Sequence, residues 1–149
     1  MLVRLCPADE DEVADLLKAG HTESRYRNRP YDEARARAVL RIFLANPATF
    51  ARGALDADGR IVGVMLAELS QPLWWSSERV ANMMVLYVRP ENRGGAGLRL
   101  ILSFKAWAKG SRADRAVIGL TSGIDSNRTS KLFQRLGFTQ TGTAWEQEN

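Results

Sequence analysis

Three glycines within four residues, Gly94, Gly95 and Gly97, stand between an apolar run and an amphipathic one. The stretch reads "VRPENRGGAGLRLI" over residues 88–101. Before it, "RVANMMVLYV" is almost wholly apolar, as a strand covered on both faces must be. After it, Leu98, Ile101 and Leu102, with Ala106 further on, predict a helix from about Gly97 to Lys109. Glycine is entropically costly to order, so a cluster of it marks a sharp turn or a close approach to the backbone. A tight strand-to-helix turn needs one glycine, and three favour a ligand. The first amides of a helix are unpaired and carry a partial positive charge, which makes an anion site, and glycines let phosphate oxygens reach them. Arg89, Arg93 and Arg99 add positive charge around that mouth, so a diphosphate is the expected guest.

Two familiar phosphate loops do not fit. A P-loop ends in Gly-Lys-Ser/Thr, whereas Gly97 precedes Leu98-Arg99. A dinucleotide fingerprint follows the first strand of a parallel unit and needs an acid ending the next strand; here the loop follows the fourth strand, and "RAVIGLTS" ends in Thr121-Ser122.

The remaining elements follow from period and punctuation. Leu2 to Leu5 is a short strand, and Pro7 opens a helix with Val13, Leu16 and Leu17 on its apolar stripe and Gly20 at its end. "HTESRYRNRPY" reads as a loop. A second helix begins near Asp32, carries Ala34, Ala38, Leu40, Ile42 and Leu44, and stops at Asn46-Pro47. "TFARGALD" and "RIVGVMLAEL" flank Asp58-Gly59 and predict a hairpin. "RAVIGLTS" reads as a buried strand, "NRTSKLFQRLG" as a short helix and "FTQTGTAWEQ" as a closing strand. The order is β-α-α-β-β-β-α-β-α-β, an α/β chain with a mixed sheet and helices on both faces, read as one domain over residues 1–149.

At this point two stretches resemble a known family. "LYVRPENRGGAGLRLI" is similar to the acetyl-CoA loop of the GNAT superfamily of N-acetyltransferases, whose pattern is Val-x-Pro-x-x-Arg-Gly-x-Gly-x-Gly/Ala. "SNRTSKLFQRLGF" resembles the family's later Asn-x-x-Ala, Leu-Tyr and Gly-Phe signature, and the element order agrees over essentially the whole chain. The resemblance implies transfer of an acetyl group from acetyl-CoA, as cosubstrate, to a primary amine of a small molecule or protein by direct attack. It also implies a pyrophosphate cradle from Arg93, Gly94, Gly95, Ala96, Gly97 and Leu98, and pantetheine bonded to the backbone at Leu86 and Val88. Asn127 is the expected match to the family asparagine, one residue out of step. Phe133 stands where many members carry a tyrosine that protonates the departing thiolate; it cannot donate a proton, so it is expected to pack beside the cofactor. A non-catalytic acyl-CoA-binding domain of the same fold is the alternative.

Thioester polarisation is expected from a backbone N–H between Met84 and Leu86. The strand "RVANMMVLYV" holds no carboxylate, with Asn82 nearest; Glu68 and Glu78, and Glu23 on the substrate side, are the candidate acids. His21, the only histidine, lies in the first interhelical loop, which in this fold borders the acceptor site. Tyr26 and one of Trp74 and Trp75, taken as Trp75, are expected to line the acceptor pocket, with a homodimer contact as the other use of an exposed tryptophan.

Composition narrows the partners. The net charge is +4, but the basic residues are interspersed with acids and never run to five, which argues against a dedicated nucleic-acid binder. No segment is apolar enough to span a bilayer, no metal ligand set stands out, and the N-terminus lacks the apolar core of a signal peptide. The lone Cys6 excludes an internal disulfide and reads as a buried or incidental thiol in a cytoplasmic protein.

Overall fold

"IVGVMLAELS" and "VANMMVLYV", the two longest apolar stretches, form the middle of the sheet. The computed structural model describes residues 1–149. Its elements are β1 (Leu2–Arg4), α1 (Glu10–Glu23), α2 (Glu33–Ala45), β2 (Phe50–Leu55), β3 (Ile61–Ser70), β4 (Val80–Val88), α3 (Gly95–Gly110), β5 (Arg115–Val117) and α4 (Ser126–Arg135). The strands lie in sequence order, antiparallel from β1 to β4, with β5 parallel to β4. The mixed sheet therefore agrees with the expected fold.

Helices cover both faces. On one, α1 and α2 bring Val13, Leu16, Leu40, Phe43 and Leu44 against Val64, Leu66 and Tyr87. On the other, α3 brings Leu100, Phe104 and Ala108 against Phe50, Met65, Ala67 and Val88. Phe104 meets Phe50 edge-on, with centroids 5.8 Å apart. Burying a large aromatic is worth about 1.5–3 kcal/mol, and this contact fixes the helix whose first turn faces β4. Asp32 caps α2 by accepting from the Arg35 N–H at 2.9 Å, and Asp56 closes the β2–β3 turn by accepting from Asp58 and Arg60.

Several sequence expectations are corrected. Gly20 does not end α1, which runs to Glu23; it lies inside the helix, where a Cβ would come within 3.0 Å of the Tyr87 ring. Ile42 and Leu102 point to solvent, and Phe43 and Phe104 take their places in the core. "RAVIGLTS" pairs only over Arg115–Val117, and its later residues make no ladder with β4. "FTQTGTAWEQ" forms no strand. That segment has almost nothing to bury, with Trp145 93% exposed, and polar contacts hold it: Arg25 to Glu146 at 2.6 Å and Arg29 to Glu148 at 2.5 Å. Cys6 is exposed.

Candidate active site

The parallel ladder between β4 and β5 stops at Asn82–Val117, six residues before β4 ends at Val88. Past that point β4 has a neighbour on one side only. The Arg89 N–H bonds to the Val62 carbonyl at 2.9 Å, so by strand alternation residues 87 and 85 also turn their backbone toward β3. Leu86 and Val88 turn theirs toward the open edge. This is the pair expected to hold an extended ligand, with one amendment. The Val88 carbonyl already accepts from Arg93 Nε at 3.1 Å, which leaves the Val88 N–H and both Leu86 groups free.

A cavity of about 460 Å³ lies along this edge, bounded by β4, the start of α3, the segment 119–125 and α4. Gly94, Gly97, Leu98 and Phe133 line it beside Leu86 and Val88. Gly94 caps α3 with φ +105°, a conformation open to glycine at little cost. The first intrahelical bond joins the Leu98 N–H to the Gly94 carbonyl at 3.3 Å, and the Arg93 N–H turns back to Pro90. The amides of Gly95, Ala96 and Gly97 are therefore uncommitted at the positive end of a sixteen-residue helix. Of the expected cradle over residues 93 to 98, the three central amides are the open ones, and the Ala96 methyl is buried under the sheet.

The sequence reading missed the opposite wall. Arg128, Lys131 and Arg135 line the cavity from α4, at the i, i+3 and i+7 spacing of one helix face. None has an ion-pair partner, and Arg128 Nη2 stands 4.0 Å from where a Cβ on Gly94 would lie. The spacing was readable in "NRTSKLFQR". Asn127, the expected contact, is exposed one residue away from the lining. Phe133 is buried in the wall, with Phe138 6.0 Å behind it.

Arg93 plays another part than the expected phosphate ligand. Its Nη2 meets both Glu23 oxygens at 2.6 and 2.7 Å, its Nη1 reaches Asp125 at 3.4 Å, and Tyr87 donates to Glu23 at 3.0 Å. Burial, and then the bond to Glu23, push the Tyr87 hydroxyl above its ordinary pKa, so it stays a protonated donor. Glu23, expected on the substrate, is thus the anchor of a clamp joining α1, β4, the glycine loop and the start of α4. We expect Arg93→Ala to cost about 1–3 kcal/mol, because a half-buried carboxylate loses the charged donor that contacts both its oxygens. A denaturant midpoint unchanged by that substitution would mean that solvent already screens the pair.

A second cavity, about 380 Å³, opens on the α1–α2 face. Its lining includes Tyr31, Asp32, Arg35, Leu66, Met84 and Val85. Met83 lines the first cavity and Met84 the second: Leu66 pairs with Val85 and Ala67 with Met83, so Met84 bulges out of the ladder. A bulge re-aims backbone and side chain locally, and here it lies between the cavities, in the segment expected to supply a polarising amide. Glu68 is opposite Asn82, in the second row beyond the bulge, and by alternation shares the face of Leu66. Its carboxylate is exposed and has no hydrogen-bond or ion-pair partner. Glu78, by contrast, is bound to Arg115 Nε at 2.8 Å and ties the start of β4 to β5.

The expected acceptor residues are not gathered here. Tyr26 stacks under Arg25 and accepts from it at 2.6 Å, outside both linings. Trp74 and Trp75 are 94% and 67% exposed and border neither cavity. His21 touches the second cavity only through Tyr31, whose ring centroid is 4.9 Å away. Tyr31 is the loop tyrosine that lines it.

Fold and cleft together define a protein whose open amides, unpaired cations and free strand edge suit an anionic, chain-like ligand at a split in a mixed sheet. The model of the acetyltransferase (GNAT) family matches residues 11–138, and the chain belongs to that family. It is an acetyl-CoA-dependent acetyltransferase, with acetyl-CoA as cosubstrate. The residues present suit that ligand: three open amides and three unpaired cations for phosphates, an open strand edge for amide groups, and apolar side chains beneath. Solved structures share the fold over the whole chain. A mutant of a Bacillus halodurans protein superposes with a TM-score of 0.80 at 16% identity, covering 100% of this chain and 99% of that one. A ribosomal-protein-alanine N-acetyltransferase from Brucella melitensis gives 0.72 at 21%, covering 100% and 99%. The aminoglycoside N-acetyltransferase AAC(6')-Iy in complex with CoA gives 0.77 at 16%, covering 100% and 93%. At these identities the likeness is one of fold. A search of curated protein sequences found no match.

Proposed function

We propose that residues 1–149 act as one catalytic domain that acetylates a primary amine, with the donor in the cavity beside α3 and the acceptor entering from the other face of β4. The observation that carries this is the trio of open amides at Gly95, Ala96 and Gly97, facing a strand edge that has lost its neighbour. Acetyl-CoA supplies a thioester carbonyl: the amine nitrogen forms the new bond to carbon as the C–S bond breaks, and the proton lost by nitrogen ends on sulfur. The protein's share is positional and electrostatic. Amides at the α3 start hold negative charge, the bulged backbone at Met84 polarises the carbonyl, and Glu68 takes the amine proton through water.

Phe133 leaves the sulfur proton to solvent, which a thiolate leaving group tolerates. Phe133→Tyr sets a hydroxyl in the cavity wall and should keep or raise kcat; a tenfold loss would mean that packing at this site outweighs proton supply. No helix is long and apolar enough to cross a membrane. We assign the protein to the cytoplasm, in keeping with its single unpaired cysteine. The direct test is thiol release from acetyl-CoA across a panel of amines. Release with at least one primary amine supports the proposed acceptor class; binding of acetyl-CoA without release for any amine in the panel counts against it.

A further inference from the structure

From the second cavity, and resting on the acetyltransferase reading above, we infer that the acceptor is an apolar α-amino acid or an amine of that chemistry, bearing one carboxylate, and not a polycation. Eight of the eleven lining residues are hydrophobic. Leu17, Val39, Leu40, Leu66, Met84 and Val85 form a floor and walls that can desolvate an aliphatic or aromatic side chain.

The polar groups are few and lie at the start of α2. The Arg35 backbone N–H is committed to Asp32 Oδ1, but the Arg35 guanidinium has no carboxylate partner. This distinguishes it from Arg37 and Arg41 on the same helix, which are paired with Glu10, Asp11 and Glu33. A free guanidinium at the rim of an apolar cavity suits a carboxylate, which it can grip with two parallel N–H bonds. With its carboxylate on Arg35 and its side chain on the apolar wall, the acceptor turns its amine toward the bulge at Met84. There the neutral nitrogen attacks the thioester carbon, the C–S bond breaks, Glu68 takes the amine proton through water, and the departing thiolate takes a proton from solvent. A polyamine or aminoglycoside would find one carboxylate, Asp32, in this lining, with Arg35 repelling its ammonium groups. The chain therefore differs in acceptor chemistry from the aminoglycoside enzyme whose fold it shares.

The test is thiol release by the full-length protein with saturating acetyl-CoA and four acceptors: L-phenylalanine, L-leucine, phenethylamine and spermidine. The two amino acids should give the highest kcat/KM, at least tenfold above phenethylamine, which lacks the carboxylate, and spermidine should be lowest. Arg35→Ala, which keeps the helix cap because only the backbone N–H makes it, should lower kcat/KM for L-phenylalanine at least tenfold and leave phenethylamine within twofold. Val39→Trp, which fills the cavity, should depress L-leucine turnover without changing the KM for acetyl-CoA. Equal or faster turnover of spermidine overturns the inference, as does an Arg35→Ala effect common to all acceptors. If no acceptor is acetylated while acetyl-CoA still raises the melting temperature, the acceptor assignment alone has failed. If acetyl-CoA produces no such rise, the donor reading beneath it has failed as well.

Discussion

Gly97→Ala is expected to raise the melting temperature of the ligand-free protein and weaken acetyl-CoA binding, two changes of opposite sign from one methyl group. Within the protein nothing requires glycine at this position: its backbone is helical, and an added Cβ would meet only Val88 Cγ2, at 3.9 Å. Glycine in a helix costs about 0.5–1 kcal/mol relative to alanine, so the substitution should add about 1.5–3 °C. On the ligand side the same methyl projects into the cavity beside open amides, where a phosphate must come close. Gly97→Val should remove the effect of acetyl-CoA altogether, a linkage of about 2.7 kcal/mol at a hundredfold excess over Kd. Gly94 could not serve for this test, because its positive φ strains any other residue and would mix folding with binding. Differential scanning fluorimetry with and without acetyl-CoA separates the two effects. Equal stabilisation of wild type and Gly97→Val by the ligand would make the loop a turn and nothing more.

Glu68→Gln should lower kcat about 10²-fold near neutral pH while leaving the KM for acetyl-CoA unchanged. Of the three acids read from the sequence, two are committed to cations: Glu23 to Arg93 and Glu78 to Arg115. Glu68 alone is unpartnered and shares the sheet face of the second cavity, in the second row past the bulge. The amide cannot accept a proton but keeps the shape of the side chain, so a loss confined to kcat identifies proton transfer. The loss should shrink as pH rises and more of the acceptor amine is already deprotonated. A pH–rate profile parallel to that of the wild type, or a change below threefold, would remove Glu68 from the mechanism and leave water as the base.

These expectations also mark how far the sequence could be read. The glycine loop was legible because backbone chemistry is local: three glycines, a preceding apolar strand and a following helix leave few structures open. The order of elements was legible up to α4 for the same reason. The roles of Glu23, Arg93 and Glu78 were not, since each is decided by a partner 37 to 70 residues away in the chain. Tyr26 and Tyr31 lie in one polar loop, and only its folded path turns Tyr31 into the cavity and leaves Tyr26 under Arg25. The absent closing strand failed on burial: alternating Thr and Gln looked strand-like, but β5 offers three residues to pair with, and the segment has little apolar surface to bury. The basic face of α4 is legible in the spacing of residues 128, 131 and 135, but that it faces the glycine loop depends on the folded position of α4.

The central claim is that the amides opening α3 and the unpaired edge of β4 hold acetyl-CoA. It is tested most directly by titrating the ¹⁵N-labelled protein with acetyl-CoA and following amide resonances. The account predicts the largest shifts at Gly95, Ala96 and Gly97, with Leu86 and Val88 next, and little change at Tyr26, Trp74 or Trp75. Saturating shifts confined to the α1–α2 face, with the amides of residues 95 to 97 unmoved, would contradict it.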